Sequence, residues 1–300
     1  MKATTADSME PMMLVKSDSS NRRFSITLAR IGCYIVLIFL TVLCLFFFYM
    51  LLINCTRNHY EIQKGFSILP GGSLYANFHS LANNASLPVS TGILNSFLVA
   101  ALSAALATYF SAMTAYGVFA YNFKFKNAIF ATILLIMTMP TQISALGFVQ
   151  EMTKIGLFDS LIPLFLPSIA SPVVVFFMKQ YLESNMPMEI VEAARIDGSG
   201  ELQTFNHIVV PILKPAIAVQ AIFSFVAAWN NFFVPALLLN NIHKKTLPIL
   251  IMQLRSADFL RFDMGQVYLM IAVSIFPVMI VYFCLSKFII RGVALGSVKG

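Results

Sequence analysis

The sequence predicts an all-α, polytopic membrane protein with six transmembrane helices, and three observations carry that prediction. Of the 300 residues, 58% are hydrophobic and only 11% are charged, and the mean hydropathy is +0.80, far from the composition of a soluble domain. Apolar stretches of about 20 residues, the length that crosses a bilayer as a helix, recur six times with short polar connections. Lys and Arg divide unequally between the two sides that six spans would create. Positions 2, 16, 22, 23, 30, 124, 126, 179, 195, 214, 287, 291 and 299 fall on one side, against 57, 64, 154, 244, 245, 255 and 261 on the other. The richer side is the cytoplasmic one, which puts both termini there. The net charge of +7 therefore marks membrane orientation, and no nucleic-acid partner is needed to explain it.

The elements follow in chain order. Residues 1–28 form a polar, Ser-containing lead, read as mobile and cytoplasmic, ahead of a permeating body over 29–290 and a cytoplasmic tail over 291–300. The first span, Ile31–Ile53, is longer than a signal-peptide core and lacks a small-residue cleavage site, so it reads as a retained anchor. Asn54–Gly92 is the longest polar connection and external; its two short sequons, at Asn54 and Asn84, read as chance. The second span, Ile93–Ala120, carries a small-residue stripe at Ala100, Ser103, Ala104, Ala107 and Ser111, which suits close helix packing in lipid. The third, Asn127–Phe148, contains Pro140-Thr141-Gln142, and Gln142 either faces a pathway or bonds a neighbouring helix. A short outer turn, Glu151–Asp159, leads to a fourth span, Ser160–Gln180, made irregular by Pro163, Pro167 and Pro172. The fifth, Ala216–Leu239, holds the strongest polar candidates inside the membrane: Gln220, Ser224, Trp229, Asn230 and Asn231. These are either pathway groups or an interfacial aromatic with helix-joining amides. A polar external connection, Asn240–Asp263, precedes the sixth span, Met264–Ser286.

Between spans four and five lies a polar interruption, Asn185–Pro215. Pro187 suits a first helical turn, and Glu189 and Glu192 set negative charge near that helix's positive end. Ile190, Val191, Ala194 and Ile196 form its apolar face. The helix should stop at Asp197-Gly198, where glycine tolerates a left-handed turn, and Ser199 should cap a second short helix reaching about His207. Pro211 and Pro215 read as helix starts. Glu192-Ala193-Ala194, three residues, Gly198, nine residues, then Ile208-x-Val210-Pro211 resembles the EAA loop of binding-protein-dependent ABC importer permeases, with Val210 where that pattern has Leu. The resemblance implies a type I ABC importer permease fold. It implies too that Glu189, Glu192, Ala193, Ala194, Asp197, Gly198, Ile208 and Pro211 form the coupling helix and loop that dock on an ATPase subunit.

Two weaker matches narrow the family. Trp229-Asn230-x-Phe232 is similar to a helix-five sequence of sugar-importer permeases. Gly292-x-x-x-Gly296-x-x-Lys299-Gly300 resembles the ending of the maltose and multiple-sugar permeases. The resemblance implies a cell-membrane subunit that works with a second homologous permease, two ATP-binding ATPase subunits and an extracytoplasmic sugar-binding protein. The external Asn54–Gly92 loop then belongs to the platform that meets the binding protein, or is an idle connection.

Chemistry excludes several rival classes. Apart from Lys179 at the cytoplasmic edge of the fourth span, the spans hold no Asp, Glu, Lys, Arg or His, which disfavours a proton relay. Cys33, Cys44, Cys55 and Cys284 and the scattered histidines lack metal-ligand spacing. Neither a nucleophile–base pair nor a P-loop is present, so the chain is read as a non-enzyme without cofactor, whose energy comes from a separate ATPase. The alternative is a sodium-coupled carrier of a neutral solute, although no duplicated pair of broken helices signals one. A neutral oligosaccharide would be recognised by aromatic faces and amides.

Overall fold

A computed structural model of the chain describes residues 10–84, 86–256 and 263–296. Among them there is no strand. Five helical stretches are long and apolar enough to cross a membrane, and a sharply bent pair makes a sixth when counted as one span.

The first helix, α1, runs Glu10–Cys55. The lead read as mobile is thus helical from Glu10 onward, and residues 1–9 lie outside the described residues. No residue in the apolar window of α1 is buried, so most of its side-chain surface is left for lipid or another subunit. Two short helices, α2 (His59–Gln63) and α3 (Leu74–Ala82), fold the connection after α1 back over its end. Asn77, buried, donates to the carbonyls of Cys55 and Arg57 at 3.0 Å each. The Cys55 carbonyl ends α1 and that of Arg57 lies just beyond it, where the intrahelical donors have run out.

The centre of the fold is α4, Val89–Ala120, a 32-residue helix without a break. Ala100, Ser103, Ala107 and Ser111 are all buried along it; with no large side chain in the way, its neighbours close to short distance. Its N-terminal half joins one core with Phe225, Trp229, Leu250 and Met270. The C-terminal half joins a second with Met178, Leu182, Val191, Phe205 and Leu213.

The third span is not one helix. It divides into α5 (Lys126–Met137) and α6 (Thr141–Lys154), bent by 100°. Pro140 has no N–H to continue the ladder and biases the preceding Met139 away from helical geometry. The fourth span divides likewise. A four-residue helix, α7 (Ile162–Phe165), passes through a 3-10 turn (Leu166–Ile169) before α8 (Pro172–Asn185) begins on its proline. After α9 (Met188–Ile196) and α10 (Glu201–Thr204), a π turn over Phe205–Val209 leads straight into α11, Val210–Trp229. Pro211 therefore lies in the first turn of α11, as a helix start requires, whereas Pro215 sits inside that helix and not at a start of its own. The wider turn precedes Pro211, where the regular bonding would need the N–H that proline lacks.

The fifth span also ends earlier than the sequence implies. The chain turns at Asn230–Phe232 and resumes as α12, Phe233–Leu238. The connection after it, read from sequence as polar and external, is more than a polar loop. Its helix α13, Leu247–Arg255, buries Leu247, Ile249, Leu250 and Leu254. It is held to α4 where the Leu247 N–H donates to Ser96 Oγ at 2.7 Å. The last helix, α14, runs Met264–Gly296, ten residues past Ser286, so most of the glycine-containing tail is helical; Lys299 and Gly300 lie outside the described residues.

Candidate functional site

Two regions gather the residues singled out by sequence. The first is the elbow after α9. Gly198 has φ +79°, and a Cβ there would meet no heavy atom within 4 Å. Its need for glycine is conformational, not steric. The Ser199 N–H donates to the Ala194 carbonyl at 2.9 Å and the Gly198 N–H to that of Arg195 at 3.1 Å. This pair of bonds around a left-handed residue is the Schellman closure of a helix C-terminus. Ser199 does not cap the next helix, although its N–H closes the previous one. Gly200 is the N-cap of α10, and the Ser199 hydroxyl instead accepts from Thr204 Oγ1 at 2.9 Å.

Below the elbow, α9 is anchored by Val191 and Ala194, both buried. Burying a valine contributes about 1.5–3 kcal/mol. The other two residues of the apolar face read from sequence behave differently. Ile190 is 39% exposed and Ile196 87% exposed, and Leu202 beyond the elbow is 65% exposed. On a helix, position 196 falls on the side opposite the Val191–Ala194 stripe and position 190 at the edge of that stripe. The free face of α9 thus carries an isoleucine tip, with exposed Glu189, Glu192, Ala193 and Asp197 around it. Ile208 is half-buried and Pro211 exposed at the foot of α11.

Sequence reasoning missed three residues that brace this elbow. Glu201 accepts from Arg195 Nε at 2.9 Å and from the buried Tyr116 hydroxyl at 2.9 Å. The Arg195 guanidinium also lies 5.0 Å from the Tyr121 ring centroid. Hydrogen bonding to Glu201 is the main reason the Arg195 pKa is raised. Tyr116 and Glu201 are 85 residues apart, so no local pattern could have paired them.

The second region is a cavity of ≈ 370 Å³ where the broken helices meet, walled by Met139 and Ser144 beside the α5–α6 bend, Pro163 and Pro167 near α7, and Asn231 and Val234 at the α11–α12 break. Its volume is in the range of small-molecule sites. Of the six pathway candidates, Asn231 lines it. Gln142 is exposed on the first turn of α6, and Asn230 is exposed at the end of α11. Gln220 is buried within α11 and Ser224 is half-buried. Trp229, 2% exposed, stacks on Phe225 with centroids 5.9 Å apart and planes at 13°, inside the subunit's own core.

A clasp stands beside the cavity. Asp159, at φ 55°, accepts the N–H groups of Asn240 and Asn241 at 2.8 and 2.9 Å and pairs with Lys244 at 3.2 Å. The Asn241 N–H first, then that of Asn240 and the Lys244 ammonium, hold its carboxyl below the usual carboxylate range. The clasp joins the entry of α7 to the exit of α12.

The chain resembles known proteins over most of its length. The family model described as "Binding-protein-dependent transport system inner membrane component" matches residues 107–295. The chain belongs to this family. It is 32% identical over 277 residues to the arabinooligosaccharides transport system permease protein AraQ of Bacillus subtilis (strain 168), covering 90% of this chain and 96% of that one. It is 27% identical to the sn-glycerol-3-phosphate transport system permease protein UgpE of Yersinia pestis bv. Antiqua (strain Antiqua), covering 87% and 95% of the two chains. To the lactose transport system permease protein LacG of Rhizobium radiobacter it is 28% identical, over 89% and 95%. In fold it matches a chain of a bacterial ABC transporter that imports the acidic polysaccharide alginate, with a TM-score of 0.73 at 20% identity, over 89% and 97%. The chain is therefore the multi-pass membrane permease subunit of an ATP-driven, binding-protein-dependent importer. ATP hydrolysis belongs to separate ATPase subunits, and a second permease and an external binding protein complete the system. Nothing supports the sodium-coupled alternative.

Proposed function

We propose that this permease passes a neutral oligosaccharide. The observation that carries the reading is the cavity at the helix breaks, whose wall offers the Asn231 carboxamide, a serine hydroxyl and apolar groups, and no Lys, Arg, Asp or Glu. An anionic solute moving through low dielectric needs a paired cation; a sugar needs amides, hydroxyls and apolar faces. Relatives whose names specify arabinooligosaccharides and lactose agree with that chemistry, whereas the sn-glycerol-3-phosphate relative carries an anion. ATP-driven closure of the ATPase subunits displaces the elbow formed by Glu189, Glu192, Ala193, Ala194, Asp197 and Gly198, with Ile208 and Pro211 at its base, and that rigid movement switches access to the cavity. The elbow and both termini, the lead over 1–28 and the tail over 291–300, face the cytoplasm, and 29–290 form the permease body.

The test is uptake into proteoliposomes holding the complete complex purified with its binding protein. Arabino-oligosaccharides, lactose and sn-glycerol 3-phosphate are offered in competition. Uptake of a neutral sugar, unaffected by the phosphate ester, is the expected result; preferential uptake of the phosphate ester overturns the reading. Tags at either end labelled from outside intact cells would overturn the orientation.

A further inference from the structure

We infer that Glu201 and Tyr116 are positioning residues that gear the coupling elbow to α4, so that displacement of α9 reaches this central helix directly. The inference rests on the reading of the α9 elbow as the ATPase-docking segment. Chain connectivity joins α9 only to α8 before it and to α10 and α11 after it. The Glu201 carboxylate adds a third connection. One oxygen takes the Arg195 Nε–H from the last turn of α9, and the other takes the Tyr116 hydroxyl from the inner end of α4, both at 2.9 Å.

Three features separate this cluster from an incidental surface ion pair, which by itself contributes little. Tyr116 is 4% exposed, and burial strengthens the bond its hydroxyl makes to a carboxylate. The rings behind it are packed: Tyr116 lies 5.9 Å and Tyr109 5.7 Å from Phe205, centroid to centroid, and the Tyr109 hydroxyl donates to Asn206 Oδ1 at 3.3 Å. The Arg195–Glu201 bridge also crosses the Gly198 turn, around which no heavy atom stands within 4 Å of a Cβ position. Val191 gives α9 an apolar seat in the core it shares with α4, but the turn itself is held by its backbone bonds and the Ser199–Thr204 contact, so a polar brace across it helps the elbow to move as a unit with another helix. The cluster supplies that brace, and the helix it grips runs through both cores.

The experiment uses the complex purified with its ATPase, partner permease and binding protein, and compares the parent with Tyr116→Phe, Glu201→Gln, the double variant and Glu192→Lys. Tyr116→Phe keeps the ring and removes only the hydroxyl. The readouts are ATPase co-purification and the ratio of ATP hydrolysis with and without the binding protein. The expected result is a stimulation ratio lowered about two- to ten-fold in Tyr116→Phe, the weight of one hydrogen bond, with ATPase association intact. Glu201→Gln should lower it at least as far, and the double variant no further than Glu201→Gln alone, because the two groups act as one link. An unchanged ratio in Tyr116→Phe overturns the inference even if Glu201→Gln fails to assemble, and so does a ratio that falls only because ATPase is lost. Glu192→Lys separates the two levels. If it weakens ATPase association while Tyr116→Phe changes nothing, docking stands and the gearing fails; if Glu192→Lys is also without effect, the docking reading fails with it.

Discussion

Substitution of Gly198 by Asn, Ala and Val should grade the coupling elbow by backbone conformation alone. The residue sits at φ +79° with open space where a side chain would go, so volume contributes nothing to the ranking. Asn tolerates the left-handed region and should stay close to Gly. Ala should cost about 1–2 kcal/mol, and β-branched Val up to about 3 kcal/mol. Such a cost is below the 5–15 kcal/mol or so that holds a typical domain together, so the bundle should persist. What yields is the turn. The two bonds that close it, Ser199 N–H to Ala194 at 2.9 Å and Gly198 N–H to Arg195 at 3.1 Å, require that conformation. A strain of about 2–3 kcal/mol lowers the population of the docking-competent elbow by up to roughly 30- to 150-fold, and apparent ATPase affinity falls with it. The assay is titration of each detergent-solubilised permease pair with its ATPase, alongside membrane abundance. Asn as damaging as Val would show that a side chain at the docking surface is the problem, and Val as good as Gly would show that the turn is unimportant. Either result refutes the conformational argument.

Other sites give separable outcomes. Trp229→Ala should remove about 3–5 kcal/mol of core packing and lower membrane abundance and thermal stability, whereas Asn231→Ala, at the cavity wall, should leave abundance intact and change uptake kinetics; the reverse pattern would exchange their roles. The Asp159 carboxyl is held below its ordinary range, so the clasp's contribution is complete above the unfolded carboxylate pKa and is lost as pH falls through the depressed value. Asp159→Asn should therefore raise hydrogen exchange over 239–245 at neutral pH, and the difference from the parent should close in strong acid. Asn77→Ala leaves the Cys55 and Arg57 carbonyls without their buried donor and should destabilise by about 1–3 kcal/mol in thermal unfolding. Gly265→Ala, whose Cβ would stand 2.5 Å from the Arg57 carbonyl oxygen, should be at least as damaging.

Sequence disclosed what depends on local chemistry. Six apolar stretches were legible because transfer from water is a property of each residue, and the α9 elbow because Glu, Ala and Gly occupy fixed spacings around a left-handed turn. The small stripe on α4 was legible as packing for the same reason. Long-range partners were not. Tyr116 stands in an Ala-rich helix with nothing to mark its hydroxyl, and Glu201 looks like any acid in a first helical turn. Trp229 and Asn230 read as a pair, yet one is in the core and the other at the surface, because a helix end separates neighbours in sequence. Prolines were seen in spans three to five, but their consequence depends on what fills the gap each one opens. Pro140 yields a 100° bend, while Pro215 is carried inside a continuing helix.

That difference has a mechanical meaning. Backbone freed from helical bonding inside a membrane must be satisfied by protein or by a water-lined space. Three interruptions, at Pro140, at Pro163–Pro167 and at Asn230–Phe232, come together on the cavity wall around Asn231. Helix bonding there is already broken, so these segments can shift against one another without giving up a regular ladder. The α4 helix is the opposite case: 32 residues with no break, buried small side chains along its length, and an inner end tied through Tyr116 to Glu201. A push at the elbow therefore finds a stiff lever in α4 and, around the cavity, segments that can yield. If so, stiffening the α5–α6 bend by Pro140→Ala should restore helix bonding and slow transport while ATPase docking stays normal. A variant with unimpaired uptake would show that the break is not where the pathway changes shape.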